Sequence, residues 1–196
     1  IMMGFQEMLA DTGLSAEQEE MLSRIEYAAH RQLQLVNDLL DLTKIDARVI
    51  ELHSTTFNMR KWILPLVESF QPVAKEKNLA IQVEVTETVP QEIHNDAKRL
   101  EQIVTNLLGN AIKYTEVGSI AVTVRDVGRK NALEIAVRDT GVGIAAEIIP
   151  HVFEPFVQVS PEHSEGAGLG LAICRQLAVL LGGDMQVDST AGQGST

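Results

Sequence analysis

Apolar residues at Leu22, Ile25, Ala29, Val36 and Leu40, with Leu33 and Leu39 filling in, recur every three or four positions through Ala47. That spacing predicts a long helix in a bundle or coiled coil. Ser15 stands just before the stripe and Gln18 three residues on, the pair that makes a capping box at a helix start. Upstream, residues 1–11 (IMMGFQEMLAD) read as the end of another helix, broken at Thr12-Gly13. A two-helix hairpin of this size buries little by itself, so the pattern predicts a partner, with self-association the simplest.

The texture changes near Glu51–Phe57, and helical and strand periods alternate from there. Residues 60–77 and 97–115 carry helical spacing, and Leu79–Thr86 (LAIQVEVT) alternates like a half-buried strand. Ser119–Arg125 (SIAVTVR) and Ala132–Arg138 (ALEIAVR) predict an antiparallel hairpin around Gly128 to Asn131. Leu169–Leu181 reads as a helix, and Asp184–Asp188 as the start of another strand. The simplest packing is an α+β sandwich, with helices on one face of a mainly antiparallel sheet. The chain thus divides into a helical hairpin at 1–52 and a second domain at 55–196.

Composition narrows the function classes. The 196 residues are 45% hydrophobic, enough for a core, and the net charge of −11 opposes non-specific binding to nucleic acid or anionic membranes. Any anionic ligand therefore needs a local cationic or dipolar site. Cys174, the only cysteine, excludes an internal disulfide and reads as a core residue in a reducing compartment. No apolar run approaches the ~20 residues of a membrane span. The start, Ile-Met-Met-Gly, carries no signal peptide and reads as the interior of a longer chain.

Candidate chemistry gathers at three places. In 99–114 (RLEQIVTNLLGNAIKY), Arg99, Gln102, Asn106, Asn110 and Lys113 fall on one stripe of a helix, opposite Ile103, Val104, Leu107, Leu108, Ala111 and Ile112. Asn is a mediocre helix former, and two of them one turn apart beside a lysine suit a metal ion and a phosphate chain better than an ordinary solvent face. Asp139 ends a strand pattern and opens DTGVGI, where a carboxylate beside an open turn could accept from an exocyclic amine such as adenine's. Read alone, that segment is also an ordinary β-turn. An aspartic protease needs two such Asp-Thr-Gly triplets, and the chain has one. EGAGLGLAICRQ places glycines before a helix, an anion site in waiting. It is neither a Walker loop, since no Gly-Lys-Ser/Thr follows, nor a dinucleotide fingerprint, since Leu171 stands where the third glycine belongs. His30, His53, His94, His151 and His163 are scattered and form no metal pattern; His30 reads as a structural or surface histidine of the long helix.

In order, these segments resemble the kinase core of a two-component sensor histidine kinase over essentially the whole chain. Asn106-Leu-Leu-Gly-Asn110-Ala-Ile-Lys113-Tyr114 resembles the N box, Asp139-Thr-Gly141-Val-Gly143-Ile144 the G1 box and Phe153-Glu-Pro-Phe156 the F box. Gly166-Ala-Gly168-Leu169-Gly170-Leu171 resembles the G2 box, Gly192-Gln-Gly194 the start of a third glycine box, and residues 35–47 the end of the second dimerisation helix. The resemblance implies a Bergerat-type site for ATP and Mg²⁺. Asn110 would hold Mg²⁺, with Asn106 positioning water or the ion. Lys113 would meet phosphate, Tyr114 would line the pocket and Asp139 would accept from the adenine amine. Gly141, Gly143, Ile144, Phe156, Gly166, Gly168, Leu169, Gly170, Leu171 and Ser195 would complete the nucleotide set, and residues 145–165 would form a lid. Related ATPases of the superfamily carry a glutamate where Asn106 stands. An amide is no general base near neutral pH, which favours phosphoryl transfer to a side chain over hydrolysis.

The chain departs from the family pattern in three ways. The His-Glu/Asp-x-x-Thr/Asn-Pro phosphoacceptor signature does not occur, the lid is short and lacks the arginine often found before the G2 box, and the chain stops where a closing strand is expected. The expectation is a cytoplasmic fragment of a membrane-anchored or hybrid sensor. It would dimerise through its hairpin, contact neither membrane nor nucleic acid, and supply a histidine upstream of Ile1 and then a response-regulator receiver domain. Two other readings stand beside it: a degenerate core acting only as a dimerisation or interaction module, and a serine kinase of the same superfamily.

Overall fold

The computed structural model describes Leu9 and residues 12–47, 49–128, 132–158 and 167–196. The chain forms two compact units, Ile1–Arg48 and Val49–Thr196.

In the first unit, helix α1 (Ala16–Asp46) starts at the predicted capping box. The Gln18 N–H donates to Ser15 Oγ at 3.3 Å, and the Ser15 N–H donates back to Gln18 Oε1 at 2.9 Å. Of the predicted apolar stripe, Ala29 is buried, whereas Ile25, Leu33, Val36, Leu39 and Leu40 are about half exposed. The helix end expected over 1–11 lies, Leu9 excepted, outside the described residues. His30 is exposed and its Nδ1 is 3.0 Å from the Glu26 carbonyl of its own helix.

The second unit begins with β1 (Thr55–Asn58), followed by α2 (Met59–Glu68) and α3 (Gln71–Glu76). One helix was expected over 60–77. It divides at Ser69–Phe70, and Pro72, with no N–H to donate, takes a first-turn position of the second helix, while Pro65 is carried inside α2. Then come β2 (Ala80–Val85), β3 (Glu92–Asn95) and α4 (Ala97–Tyr114), whose Asp96 N-cap accepts from the Arg99 N–H. Strands β4 (Ser119–Asp126) and β5 (Leu133–Asp139) form the expected hairpin, and α5 (Gly170–Leu180) follows.

Among the described residues, β4 is central in the order β2-β4-β5, parallel to β2 and antiparallel to β5. Antiparallel β1–β3 and the short β6 (Ser189–Thr190) and β7 (Gly194–Ser195) pair complete the ladders. The strand expected at Asp184–Asp188 is not one. Only its last residue finds a partner, Asp188 exchanging both backbone bonds with Thr196 at 2.7–3.0 Å.

The core explains why these elements hold together. Ile120, Val122 and Val124 alternate along β4 and are fully buried. Met59, Ile63 and Val67 of α2 and Val104, Leu108, Ala111 and Ile112 of α4 join them in one cluster. The polar arc of α4 is left outside that cluster. Helix α5 packs on α4, with Cys174 Sγ 3.9 Å from the Ile103 carbonyl and Gly170 against Asn106. One turn forward on α5 is roughly one turn back on α4, so the helices are antiparallel and the N-terminus of α5 comes to rest beside the polar stripe.

Candidate functional site

Helix α4 presents its stripe half-buried: Arg99, Gln102, Asn106, Asn110 and Lys113 are neither core nor fully solvated. The Asn110 amide donates through Nδ2 to Asn106 Oδ1 at 3.0 Å. Its donor end is thus engaged along the helix, and its carbonyl oxygen is the atom that could bind a hard cation. Among the described residues no three His, Cys, Asp or Glu side chains cluster as a metal cage. Such a donor set suits Mg²⁺, which keeps waters and takes phosphate oxygens instead of demanding a protein cage. At the end of the stripe, Lys113 Nζ lies 3.1 Å from the Tyr114 hydroxyl and 4.6 Å from the centre of its ring.

Asp139 closes β5, where the ladder delivers it opposite Ile120. Its Oδ1 accepts from the Gly141 N–H at 2.8 Å. Burial pushes the carboxyl above its ordinary value, and the N–H groups of Gly141 and Ser195 pull it back only in part. A carboxylate has about four acceptor sites, so it retains capacity for a donor on a ligand.

Three backbones are pressed together around this carboxylate. A Cβ at Gly141 would collide with the Tyr114 carbonyl, one at Gly143 with the Thr190 carbonyl, and one at Gly194 with the Asp139 carbonyl. Gly143 and Gly194 also have positive φ, +66° and +95°, where a side chain is strained as well as crowded. The Val142 N–H donates to Tyr114 O at 3.1 Å and the Gly192 N–H to Val142 O at 2.7 Å. Ser189 is the knot: its hydroxyl receives the Ile144 N–H at 2.8 Å, donates to the Gly194 carbonyl at 2.9 Å and lies 2.9 Å from Ser195 Oγ. Thr140, inside the DTGVGI segment, accepts the Ser119 N–H through Oγ1 at 3.0 Å, whereas Ser189 belongs to no motif and only pairing in space marks it.

The remaining predicted residues fall around the start of α5. Leu169 is buried, Leu171 half-buried, and Gly170 opens the helix against Asn106. Gly168 (φ +70°) faces Phe156 (φ +67°), whose N–H donates to the Gly168 carbonyl at 2.9 Å. The Phe156 ring is 65% exposed, so in this state it stands outside the packed interior. Gly166 lies outside the described residues. Helix N–H groups, two amides, a lysine and a half-buried carboxylate can together hold a polyanion, its counter-cation and an amine-bearing ring.

Comparison with known proteins gives the family. Residues 95–196 match the family described as histidine kinase-, DNA gyrase B- and HSP90-like ATPase, and residues 1–48 match the His Kinase A phospho-acceptor domain. Histidine kinase 5 of Arabidopsis thaliana is 34% identical over 98% of this chain and 24% of its own length. The sensor histidine kinase RcsC of Escherichia coli is 38% identical over 83% of this chain and 17% of its own. The chain therefore spans a quarter or less of these relatives. A crystal structure of full-length ShkA in complex with AMPPNP superposes with a TM-score of 0.83 at 35% identity, over 98% of this chain and 40% of that one. By both of its parts, the chain belongs to the two-component sensor histidine kinases.

Proposed function

We propose that this chain is the ATP-binding kinase core of a longer sensor, with 1–52 as part of the dimerisation and phosphotransfer hairpin and 55–196 as the catalytic domain. In the whole protein it would transfer the γ-phosphoryl group of ATP to a histidine upstream of these residues, and from there to the receiver aspartate of a response regulator. The observation that carries the reading is the meeting of the Asn106–Asn110–Lys113 stripe, the N-terminus of α5 and Asp139 in one unit. Asp139 would accept from the adenine amine, Tyr114 and Ile144 would flank the base, and Lys113 and the start of α5 would hold the phosphates. Asn110 would hold Mg²⁺, which when bound neutralises the phosphate charge that builds up as the P–O bond to ADP breaks. The Asn106 amide takes no proton, so the acceptor is a side chain brought to the site and not an activated water.

The half-exposed apolar stripe of α1 supports a homodimer through the hairpin, since such a seam is buried only by further helices. No described helix is long and apolar enough to cross a membrane. The place of action we assign is the cytoplasm, with no contact to membrane or nucleic acid from these residues. A degenerate, non-catalytic core is disfavoured, because the stripe, carboxylate and glycine contacts are all in place. The test is calorimetric titration with ATP with and without Mg²⁺. Saturable, Mg²⁺-dependent binding is expected, weakened at least about tenfold by Asn110→Ala, in line with the loss of a metal-orienting group. Absence of binding by the parent chain at millimolar Mg-ATP would sink the proposal.

A further inference from the structure

We propose that Gly170 is a positioning residue for the cation end of the site, acting through Asn106; this rests on the nucleotide reading above. A Cβ at position 170 would lie 2.5 Å from Asn106 Nδ2, 2.7 Å from Oδ1 and 3.0 Å from Cγ. Side chains essentially never approach so closely. Gly170 is the first residue of α5 and does not have positive φ. Its backbone therefore makes no demand for glycine, and space alone makes it. Gly168, two residues earlier, differs in having both a φ of +70°, which an L side chain resists, and backbone of Phe156 and Val157 in the way of a Cβ.

The amide that fills this space is not idle. Asn106 Oδ1 accepts from Asn110 Nδ2 at 3.0 Å, so the group that fits against Gly170 also turns the Asn110 amide. The sequence of constraints runs from the start of α5, through the Asn106 amide plane, to the Asn110 donor, and ends at the Asn110 oxygen that would hold the cation. One turn along, Cys174 lies buried against the Ile103 carbonyl at 3.9 Å and seats α5 on α4. All three atoms that a methyl group at 170 would meet belong to the end of the Asn106 side chain, so the amide is the group it would displace. Gly170 would thus do for the cation what a hydrogen-bond partner behind a metal-bound histidine does: fix the ligand's orientation without touching the ion.

The test compares the parent chain, Gly170→Ala, Asn106→Ser and the double variant. One readout is thermal melting without nucleotide or Mg²⁺. The other is the Mg²⁺ concentration giving half-maximal binding of a fluorescent ATP analogue, with analogue affinity in EDTA as reference. Gly170→Ala is expected to melt about 5 °C lower, the usual cost of an overpacked contact in a unit of this size. Adding Asn106→Ser, which removes the obstructing amide, should restore most of that loss. Each single variant should raise the Mg²⁺ requirement at least about tenfold, with less than about threefold change in EDTA.

Normal melting and Mg²⁺ titration in Gly170→Ala would overturn the proposal, as would failure of Asn106→Ser to recover its melting. A normal Mg²⁺ titration in Asn106→Ser would overturn the relay through Asn110, and that variant carries the readout if Gly170→Ala does not fold. If even the parent chain binds no analogue, the nucleotide reading fails and the cation role with it, while the melting cycle still decides the contact.

Discussion

Replacing Asp96 by alanine tests how the α4 platform is anchored. Asp96 is 3% exposed, and its two oxygens reach in different directions. Oδ1 caps α4 through the Arg99 N–H at 3.1 Å, and Oδ2 accepts the His53 N–H at 2.9 Å. Burial alone would push this carboxyl up, but the N–H groups of His53, Arg99 and Lys98 with the nearby Arg99 charge outweigh it, and it lies below its ordinary value. Loss of the cap costs about 0.5–2 kcal/mol. Loss of a hydrogen bond to a charged acceptor costs about 1.5–3 kcal/mol, towards the lower end here because His53 is exposed to water. Together these predict a loss of about 2–4 kcal/mol, or about 5–15 °C of melting temperature, followed by circular dichroism. Asp96→Asn, which keeps a capping oxygen, should lose less than half as much. The sign of the pH dependence follows from the lowered native value. The contribution is whole above the unfolded value of 3.8 and fades as pH falls through the native one. The gap between the parent chain and Asp96→Ala should therefore close in acid. A loss under about 0.5 kcal/mol at neutral pH, or a gap unchanged by acid, would refute this account.

Two further outcomes probe the site itself. Asp139→Asn should weaken nucleotide binding about 10- to 150-fold, the worth of a hydrogen bond to a charged group. Because burial raises the Asp139 carboxyl, its ionisation works against the fold. The nucleotide-free variant should match the parent chain below pH 3.8 and become relatively more stable as pH rises through the native value; stability curves that stay parallel across that range would remove the argument. Phe156→Gly should hold or gain up to ~1 kcal/mol of stability, since an exposed phenylalanine at φ +67° strains the backbone. Its nucleotide affinity should fall. A clearly destabilised variant would mean that the ring packs structurally.

Where the sequence could be read correctly, local periodicity and motif agreed. Helix α4 announced both its buried arc and its polar stripe, and β4–β5 announced themselves by alternation. Strands β1 and β3 were missed because each is four residues long and lies at an edge. Only the register Thr55↔Asn95 through Asn58↔Glu92 makes them strands. Asp184–Asp188 misled in the opposite sense, since its pattern is extended while its ladder partner is confined to the last residue. Asp96 could have been found, as an acidic residue directly ahead of a helical apolar pattern. Ser189 could not, because a lone serine acquires its meaning from the Ile144 N–H, the Gly194 carbonyl and the Ser195 hydroxyl that the fold brings to it. Gly170 was legible as a glycine but not for its reason, which is the side chain of a residue 64 positions earlier.

The bond from the Phe156 N–H to the Gly168 carbonyl has a consequence for how this family can vary. It ties both ends of the 157–167 segment to one another, so the chain on either side leaves and re-enters at fixed points whatever the length between. Doubling the length of such a closed segment costs only about 0.6 kcal/mol in closure entropy. Residues added or removed between those two tied ends would therefore leave Asn106, Gly170 and Asp139 where they are.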